Sequence, residues 1–455
     1  MPVRFQRMSA LTALALASGA ASAGFDNFTP LPGSAPAGSL PEATPLQLSS
    51  PLFSQRTLDA NTPGAGRRGD NWDMTTANET GANAGRYLFS PFETATAGVK
   101  RYDLATDTSL TIVAEGTQGF VSGDASRWAP WGGYLTAEES WGAGSTKGRL
   151  FELTNPTTTN GPATSDFVQR SILPRVAHEG LAFDASRNLY FVDELNGGSI
   201  YKYTSANPNA TSGNAFFAAG QSFVMRVGDG SAFGATGAAT WIPITTASGA
   251  SLPGTTTIAG GNLDGRATAQ LAPFKGTGYN RPEDLEIKTF ANGKQQLYFA
   301  ATDTHNVFSI SLDDPVNATV KTFVDRTTID LATGLAVGST FTNPDNLAID
   351  AKGNIYVVED QPGGVADIWF AVDADGDGIA ESMGRWASMT TVGAEPTGLY
   401  FDRFNPDIAY VNIQHADSDV DRIIQISAVP EPESYALLLS GFGVVGFVAR
   451  RRRPR

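Results

Sequence analysis

The chain contains no cysteine, and this absence excludes several kinds of chemistry at once. Disulfide bonds, thiolate nucleophiles, zinc–thiolate sites and iron–sulfur clusters all require cysteine side chains. Histidine is scarce as well, since the chain has only His178, His305 and His415. A metal site must therefore rely on oxygen ligands, which favour hard cations such as Ca²⁺, Mg²⁺ and Mn²⁺, with high-spin iron as a further candidate.

Charged residues make up only 17% of the chain, and positive charge is the scarcer sign. Lys and Arg total 32 against 46 Asp and Glu, which gives a formal net charge of −14. This acidic balance repels a phosphate backbone, so we expect no nucleic-acid partner. Small phosphate compounds remain open as partners where metal ions or clustered arginines overcome the acidic field.

Both ends of the chain have the composition of targeting segments. Arg4 and Arg7 precede an apolar stretch at 8–17, and small residues at 21–23 suit cleavage, so residues 1–23 are predicted to be a signal peptide. The C-terminal segment begins "VPEPES", continues with an apolar run over 435–449 that predicts a short membrane helix, and ends in a block of arginines.

The C-terminal segment, residues 429–455, resembles the PEP-CTERM sorting signal. The resemblance implies a Gram-negative bacterium and a precursor inserted in the inner membrane. It also implies removal of the tail by an exosortase. The mature protein would then be periplasmic, on the cell surface or extracellular.

Between the two ends, four stretches share one pattern of apolar strand, polar turn and second strand rich in β-branched and aromatic residues. They are "EGLAFDASRNLYFVDE" (179–194), "EDLEIKTFANGKQQLYFAATD" (283–303), "DNLAIDAKGNIYVVED" (345–360) and "TGLYFDRFNPDIAYVNIQH" (397–415). Each predicts a β-hairpin. Their recurrence, with 49 Gly and 26 Pro in the chain, favours an all-β fold and predicts a six-bladed β-propeller over 71–428. A pair of β-sandwiches is the alternative.

Two regions do not follow this pattern. Residues 24–70 are rich in Pro, Gly and Ser, and they are expected to form an extended lead-in. Residues 228–270 are dominated by Gly, Ala and Thr, and they are expected to form an insertion over one face.

Acidic residues recur at the start of the repeated stretches. They are Glu179, Glu283 with Asp284, Asp345, and Glu395 two residues before the fourth stretch. Because the first strands of propeller blades line one channel, these acids would converge at its mouth, where cations must offset their repulsion. The alternative is that acids at strand–turn junctions serve solubility and local hydrogen bonds.

Two further acidic stretches could likewise be metal ligands or ordinary turn residues. In "WGGYLTAEES" (131–140), Glu138 and Glu139 follow a short strand-like run and are either metal ligands or part of a solvated turn. In "DADGDGIAE" (373–381), Asp373, Asp375 and Asp377 have the spacing of a calcium loop, although Gly384 stands where an EF-hand has its bidentate Glu. A peripheral calcium or a plain Asp/Gly turn are the two interpretations.

Taken in order, five stretches resemble the PhoX-type alkaline phosphatases: "WAPWGGYLTAEES" (128–140), "VAHEGLAFD" (176–184), "NRPEDLEI" (280–287), "NPDNLAID" (343–350) and "EPTGLYFDRFNPDIAYVNIQH" (395–415). The resemblance implies a six-bladed propeller that holds calcium and iron at the channel mouth and hydrolyses phosphate monoesters. It implies that Arg281 contacts the phosphoryl oxygens and that His178 orients another group or acts as an acid. The implied metal ligands are Glu139, Glu179, Glu283 and Glu395, with Glu138, Asp284 and Asp345 as neighbours.

The chain departs from the family at Ala137, where PhoX enzymes carry the cysteine that binds iron. Without that thiolate, a calcium-only or otherwise altered site is expected. Two functions follow from the sequence: a metal-dependent phosphomonoesterase, or a calcium-stabilised propeller without catalysis that binds surface polysaccharide or extracellular matrix. Another hydrolase activity on the same scaffold, such as a lactonase or phosphodiesterase, is a third candidate.

Overall fold

The fold is described from a computed structural model, which covers residues 24–61, 70–158, 166–360 and 365–429. The signal peptide predicted at 1–23 and the membrane helix predicted at 435–449 lie outside these ranges. Within them, no helix is long and apolar enough to cross a membrane.

Short strands form most of the regular structure, as the pattern of apolar runs and turn residues predicts. In the first part of the chain they are β1 (Leu46–Leu48), β2 (Phe53–Ala60), β3 (Thr76–Ala77), β4 (Tyr87–Pro91), β5 (Val99–Asp103), β6 (Thr108–Val113), β7 (Gly123–Trp128), β8 (Tyr134–Glu138), β9 (Leu150–Leu153), β10 (Phe167–Gln169), β11 (Leu181–Phe183), β12 (Leu189–Val192), β13 (Asn196–Gly198), β14 (Ile200–Ser205), β15 (Gly220–Val227) and β16 (Gly237–Pro243).

In the second part they are β17 (Tyr279–Asn280), β18 (Pro282–Thr289), β19 (Gln295–Ala301), β20 (Asn306–Ser311), β21 (Asn317–Val324), β22 (Ile329–Asp330), β23 (Pro344–Ile349), β24 (Ile355–Glu359), β25 (Asp367–Val372), β26 (Ser382–Met389), β27 (Glu395–Phe401), β28 (Ile408–Gln414) and β29 (Arg422–Ala428). Helical structure in the described ranges is confined to single turns: α1 (Gly213–Phe216), α2 (Gly265–Thr268) and the 3-10 turns Thr117–Gly119, Thr302–Thr304 and Gly338–Thr340.

The strands form mainly antiparallel sheets in which sequence neighbours pair. Two four-stranded sheets have the orders β3-β4-β5-β6 and β7-β8-β9-β10, and a third has the order β27-β28-β29-β2. A further sheet runs β23-β24-β25-β26-β1, with β22 added parallel to β26. The largest sheet has the order β11-β12-β14-β15-β16-β21-β20-β19-β18, and β13 pairs separately with β17. The structure confirms the four predicted hairpins and the all-β fold class.

Edge strands of the sheets contact one another in chain order, which gives the fold its propeller-like arrangement. The contacts run from β7 to β11, from β11 to β18, from β18 to β23 and from β23 to β27. These strands therefore line the middle of the molecule, and the acids at their starts face a common centre.

One pattern of side-chain hydrogen bonds explains why the repeated stretches fold as hairpins. In the first stretch, Asp184 accepts hydrogen bonds from the Asn188 backbone N–H at 2.8 Å and from the Tyr190 hydroxyl at 3.1 Å. The turn is thus closed by an Asp side chain that binds the backbone ahead of it. The same Asp–Tyr pairing recurs in two other hairpins, as Asp350 with Tyr356 and Asp402 with Tyr410.

The region predicted to be an extended lead-in, residues 24–70, contains two strands that complete distant sheets. β2 pairs with β29, so the N-terminal part of the chain supplies the outer strand of the C-terminal sheet. Phe25 is buried, and its carbonyl accepts a hydrogen bond from the Trp386 indole at 3.1 Å. Closing the ring with strands from both ends fixes the sheets around the centre.

Candidate metal centre

A cavity of about 340 Å³ lies at one end of the central strands and is lined almost entirely by acids. Nine of its twelve lining residues are carboxylates, and the others are Arg281, Gln414 and His415. The acids come from every sheet of the ring: Asp73, Glu93, Asp124, Glu139, Glu179, Glu194, Asp345, Asp360 and Glu395. The structure thus brings together four acids expected to be ligands, Glu139, Glu179, Asp345 and Glu395, and places Arg281 beside them.

Irregularities at the start of three edge strands redirect acidic side chains at or next to the cavity. The pairing register shifts in β7 between Gly123 and Ser126, in β18 between Pro282 and Leu285, and in β23 between Pro344 and Leu347. Each shift leaves two residues unpaired, as in a β-bulge, which bends the strand and redirects its side chains. Asp124, Glu283 and Asp345 each occupy the first of these two positions.

In β18 and β23, the second residue of the bulge links neighbouring sheets instead of facing the cavity. Asp284 accepts a hydrogen bond from the backbone N–H of Leu347 at 3.0 Å, and Asn346 accepts one from the N–H of Gly398 at 2.7 Å. Gly398 has φ +59°, and a Cβ there would lie 2.5 Å from the Thr75 backbone nitrogen. The structure therefore gives Asp284 a role in joining two sheets, although the sequence predicted a ligand.

The ends of the second strands contribute the residues that sequence reasoning missed. In an antiparallel hairpin, the end of the second strand lies beside the start of the first, and Glu395 accordingly pairs with Gln414. Glu194 and Asp360 follow β12 and β24 in the same way, and His415 follows β28. The signal was present in the sequence, because these residues end three of the four repeated stretches.

Three buried glutamates form a close cluster. One carboxylate oxygen from each of Glu179, Glu194 and Glu283 lies within 4.8 Å of the others. Burial is the main cause that raises the pKa of Glu194 well above its ordinary value, and the charges of Glu283 and Glu139 raise it further. Burial, followed by the charges of Asp345 and Glu179, does the same for the pKa of Glu283.

The wider ring of acids shows the same mutual repulsion. Burial together with the charge of Glu93 raises the pKa of Asp73 to about 8. Burial and the neighbouring Asp124 raise the pKa of Glu179 well above its ordinary value. Such a cluster keeps all its charges only when cations balance them, because confined carboxylates otherwise bind protons.

Several of these carboxylates have an oxygen that receives no hydrogen bond from the described residues. These buried atoms are Asp124 Oδ1, Glu179 Oε2, Glu194 Oε2, Glu283 Oε2 and Asp360 Oδ1. Buried polar atoms normally have partners. Oxygen atoms of this kind, grouped around one cavity, fit the ligand preference of Ca²⁺ and other hard cations.

Arg281 is the cation that the chain itself supplies to this cavity. Its guanidinium lies 2.8 Å from Glu194 Oε1 and 3.2 Å from Glu283 Oε1. The residue has φ +51°, a backbone conformation that few non-glycine residues adopt. Its side chain is 27% exposed, so the guanidinium remains accessible from the mouth of the cavity.

His415 is the histidine that lines the cavity. Its Nε2 lies 3.3 Å from Glu93 Oε2 and 3.4 Å from Glu395 Oε1. Although burial opposes protonation, the hydrogen bond and the charge of Glu93 raise the pKa of His415 above its ordinary value.

His178, which the sequence predicted to be an orienting group or an acid, lies in the interior outside this cavity. Its side chain is fully buried and packs 5.5 Å from the Phe191 ring. Burial is the main cause that lowers the pKa of His178 to about 3, and the nearby Arg175 adds to it. The structure thus places His178 away from the residues that line the cavity, and its role as an orienting group or an acid stays a prediction.

Glu138 also lies outside the cavity, although it is adjacent to Glu139 in the sequence. It is fully buried and forms an ion pair with Arg149, whose Nε lies 2.8 Å from Glu138 Oε2. The backbone N–H groups of Arg149 and Val121 also donate to this carboxylate. Glu138 thus has a full set of partners without a metal ion.

Ala137, which replaces the family cysteine, is fully buried in an apolar cluster with Leu135, Leu150 and Val176. The chain has no thiolate to offer at this position. The donors around the cavity are accordingly carboxylates, one amide and one imidazole.

The aspartate loop lies between β25 and β26, apart from the cavity residues. Carboxylate oxygens of Asp373, Asp375 and Asp377 approach within 4.8 Å of one another. Asp373 accepts hydrogen bonds from the N–H groups of Gly376 and Asp377, at 2.9 and 3.1 Å. Both sequence interpretations, a calcium loop and an Asp/Gly turn, are compatible with this geometry.

Two family models match the chain. The model of alkaline phosphatase PhoX matches residues 118–417. The model of the PEP-CTERM protein-sorting motif matches residues 428–453, and this motif implies export, sorting to the cell surface and processing by an exosortase. None of the curated proteins compared with the chain matches it.

Among solved structures, the chain is similar to Pseudomonas fluorescens PhoX in complex with vanadate, a transition state analogue. The TM-score is 0.60 at 16% identity, and the match covers 87% of this chain and 97% of that one. A PQQ-bound aldose sugar dehydrogenase from Streptomyces coelicolor matches with a TM-score of 0.38 at 13% identity, covering 82% of this chain and 98% of that one. The first likeness concerns the fold, and the second is too low to carry an argument.

The PhoX model covers more than half of the sequence, including the stretches that supply most of the acids around the cavity. The propeller-like arrangement agrees with the P. fluorescens structure. The chain therefore belongs to the PhoX alkaline phosphatase family.

Proposed function

We propose that this protein is an exported, metal-dependent phosphomonoesterase whose site is the acidic cavity. The observation that carries the proposal is the set of buried carboxylate oxygens that lack hydrogen-bond donors around a single accessible guanidinium. A phosphate monoester is an anion, so a purely acidic cavity would repel it. Bound cations together with Arg281 convert the same cavity into one that attracts phosphate.

Glu179, Glu194 and Glu283 would hold one cation, because their oxygens already converge. Five other acids line the same cavity and would hold further cations: Asp124, Glu139, Asp345, Asp360 and Glu395. When bound, such ions neutralise the phosphoryl charge and polarise the ester. The oxygen donors suit Ca²⁺. Any Fe³⁺ would be held without the thiolate that Ala137 replaces.

Arg281 would bind the phosphoryl oxygens through two N–H groups, a geometry that a guanidinium offers and an ammonium does not. The ion pairs with Glu194 and Glu283 hold the guanidinium in place before a ligand arrives. His415 lies at the mouth between Glu93 and Glu395, and it is the side chain best placed to exchange a proton with the leaving group.

The proposal extends to architecture and location. We infer six blades, because the nine-stranded sheet divides at β16 into two sets of four strands that resemble the four other sheets of four or more strands. We infer that residues 1–23 direct export, that 71–428 form the propeller together with β1 and β2, and that the tail from residue 429 holds the precursor in the inner membrane before processing. We also infer that the Asp373–Asp377 loop binds a peripheral Ca²⁺.

Hydrolysis of p-nitrophenyl phosphate and bis-p-nitrophenyl phosphate, with Ca²⁺ and with a chelator, tests the proposal. We expect monoester turnover that the chelator abolishes and a Glu283→Gln variant that loses roughly 100-fold in kcat/KM. Glu381→Gln, which neutralises an exposed acid outside the cavity, is the matched control and should keep full activity. Bound metal without turnover would overturn the proposal in favour of a calcium-stabilised binding module.

A further inference from the structure

Trp141 stands at the mouth of the acidic cavity with its side chain partly in solvent. Of the seven tryptophans, all of which lie in the described ranges, it is the exposed one, at 38%. Its indole N–H donates to the Glu139 carboxylate. The centre of its ring lies 5.2 Å from the guanidinium carbon of Arg281. An aromatic surface is thus held next to the group assigned to the phosphoryl oxygens.

Phe233 adds a second aromatic surface on the strand pair that leads to Arg281. Its side chain is 61% exposed, and its ring stands against Gly197 and Gly278. A Cβ at Gly278 would lie 2.7 Å from this ring, so the ring packs closely over the glycine backbone. β13 pairs with β17, and Arg281 follows β17 directly. The ring therefore lies on the strand pair through which the chain enters the cavity.

Exposed aromatic rings lose contact with water when another ring stacks on them, which favours binding. A monoester whose phosphoryl group lies at Arg281 has its alcohol part near the mouth, because the carboxylates fill the interior. We propose that Trp141, with Phe233 further out, binds an aromatic ring in the alcohol part of the substrate. This inference rests on the proposed function and adds a substrate class, phosphate monoesters of alcohols that carry an aromatic ring.

Binding of phenylphosphonate and methylphosphonate to the Ca²⁺-loaded protein, measured by calorimetry, tests the inference. Neither compound is hydrolysed as a phosphate ester, so the readout does not depend on turnover. Stacking of one pair of aromatic rings increases affinity about 3- to 10-fold. We therefore expect the wild type to bind phenylphosphonate more tightly than methylphosphonate by that factor. Trp141→Ala should reduce the ratio of the two affinities to about one.

Two further variants separate stacking from the other contacts of Trp141. Trp141→Phe keeps a ring but removes the N–H bonded to Glu139, and it should preserve the preference for phenylphosphonate. Phe404→Ala removes an aromatic ring of similar exposure, 54%, from the turn between β27 and β28. That turn lies at the other end of those strands from Glu395, so the ratio should not change.

Equal affinities of the wild type for the two phosphonates would overturn the aromatic subsite. A Trp141→Ala variant that weakens both ligands by the same factor would also overturn it, because Trp141 would then act only by positioning Arg281. Failure of the proposed function has a different signature: phenylphosphonate binds with the expected preference, but phenyl phosphate is not hydrolysed.

Discussion

Replacing Glu138 and Glu139 separately by glutamine is expected to change different properties of the protein. Glu138 is fully buried, and its partner Arg149 has a side chain that is only 11% exposed. Glu138→Gln leaves this guanidinium without its counter-charge, and breaking a buried pair from one side costs about 3–5 kcal/mol of unfolding free energy. Calcium affinity should not change, because the side chain lies outside the cavity.

Glu139 is only partly buried and lines the cavity beside Glu194. Glu139→Gln removes one of several like charges, so the unfolding free energy of the metal-free protein should change by less than about 1 kcal/mol. The affinity for Ca²⁺ should instead fall by about tenfold or more, because ligand charge sets the strength of such sites.

Urea unfolding in the presence of a chelator measures the stability of both variants, and a Ca²⁺ titration by calorimetry measures their affinity. The refuting result is a reversal of roles. If Glu138→Gln retains the wild-type urea midpoint but loses calcium affinity, the assignment of Glu138 to the interior and Glu139 to the cavity is wrong.

Three further predictions concern single residues. Arg281→Lys should lower kcat/KM for p-nitrophenyl phosphate roughly 100-fold, because an ammonium cannot form two parallel hydrogen bonds to phosphate; near wild-type kinetics would contradict this. Asp375→Asn should reduce the bound Ca²⁺ by one ion without changing turnover, and unchanged stoichiometry by metal analysis would exclude a calcium at that loop. Burial lowers the pKa of Lys100 to about 8, against 10.5 ordinarily. Between these two pH values Lys100 is protonated in the unfolded chain but largely neutral in the folded protein. The free energy of unfolding should therefore rise from pH 8 to 10. Urea midpoints should show that Lys100→Met reduces this rise, and an identical rise in the variant would contradict the assignment.

The hairpins, and the positions of the acids relative to the first strand of each hairpin, were predictable because both depend on local sequence. The Asp184 and Asp350 turns repeat the same residues at the same spacing, and Glu179, Glu283 and Asp345 stand at the same place before or within a first strand. Repetition of this kind specifies a sheet and its orientation without knowledge of distant contacts.

Adjacent acids could not be told apart by the same reasoning. Glu138 and Glu139 lie at the end of a strand, where neighbouring side chains point in opposite directions. Glu283 and Asp284 occupy the two positions of a bulge, so one lies against the cavity cluster and the other joins two sheets. The sequence does not show where a bulge begins, and a shift of one residue exchanges the two roles.

Three acids from the first two sheets were missed for a different reason. Asp73, Glu93 and Asp124 belong to stretches that lack the repeated pattern, so nothing local connects them with the other acids. β2 was missed because its sequence, "FSQRTLDA", is mostly polar and only its first residue, Phe53, is buried. The convergence of these acids and the pairing of β2 depend on closure of the ring, which brings together residues more than 300 positions apart. Phe53, for example, pairs with Ala428.

Metal content after exhaustive dialysis tests most directly whether acids from separate sheets share cations. The measurement compares the wild type with a Glu179→Gln, Glu283→Gln double variant by elemental mass spectrometry, with circular dichroism to verify the fold. We predict that the wild type retains Ca²⁺ and that the variant loses at least one ion per chain. Equal metal content in the two folded proteins would contradict a shared metal centre.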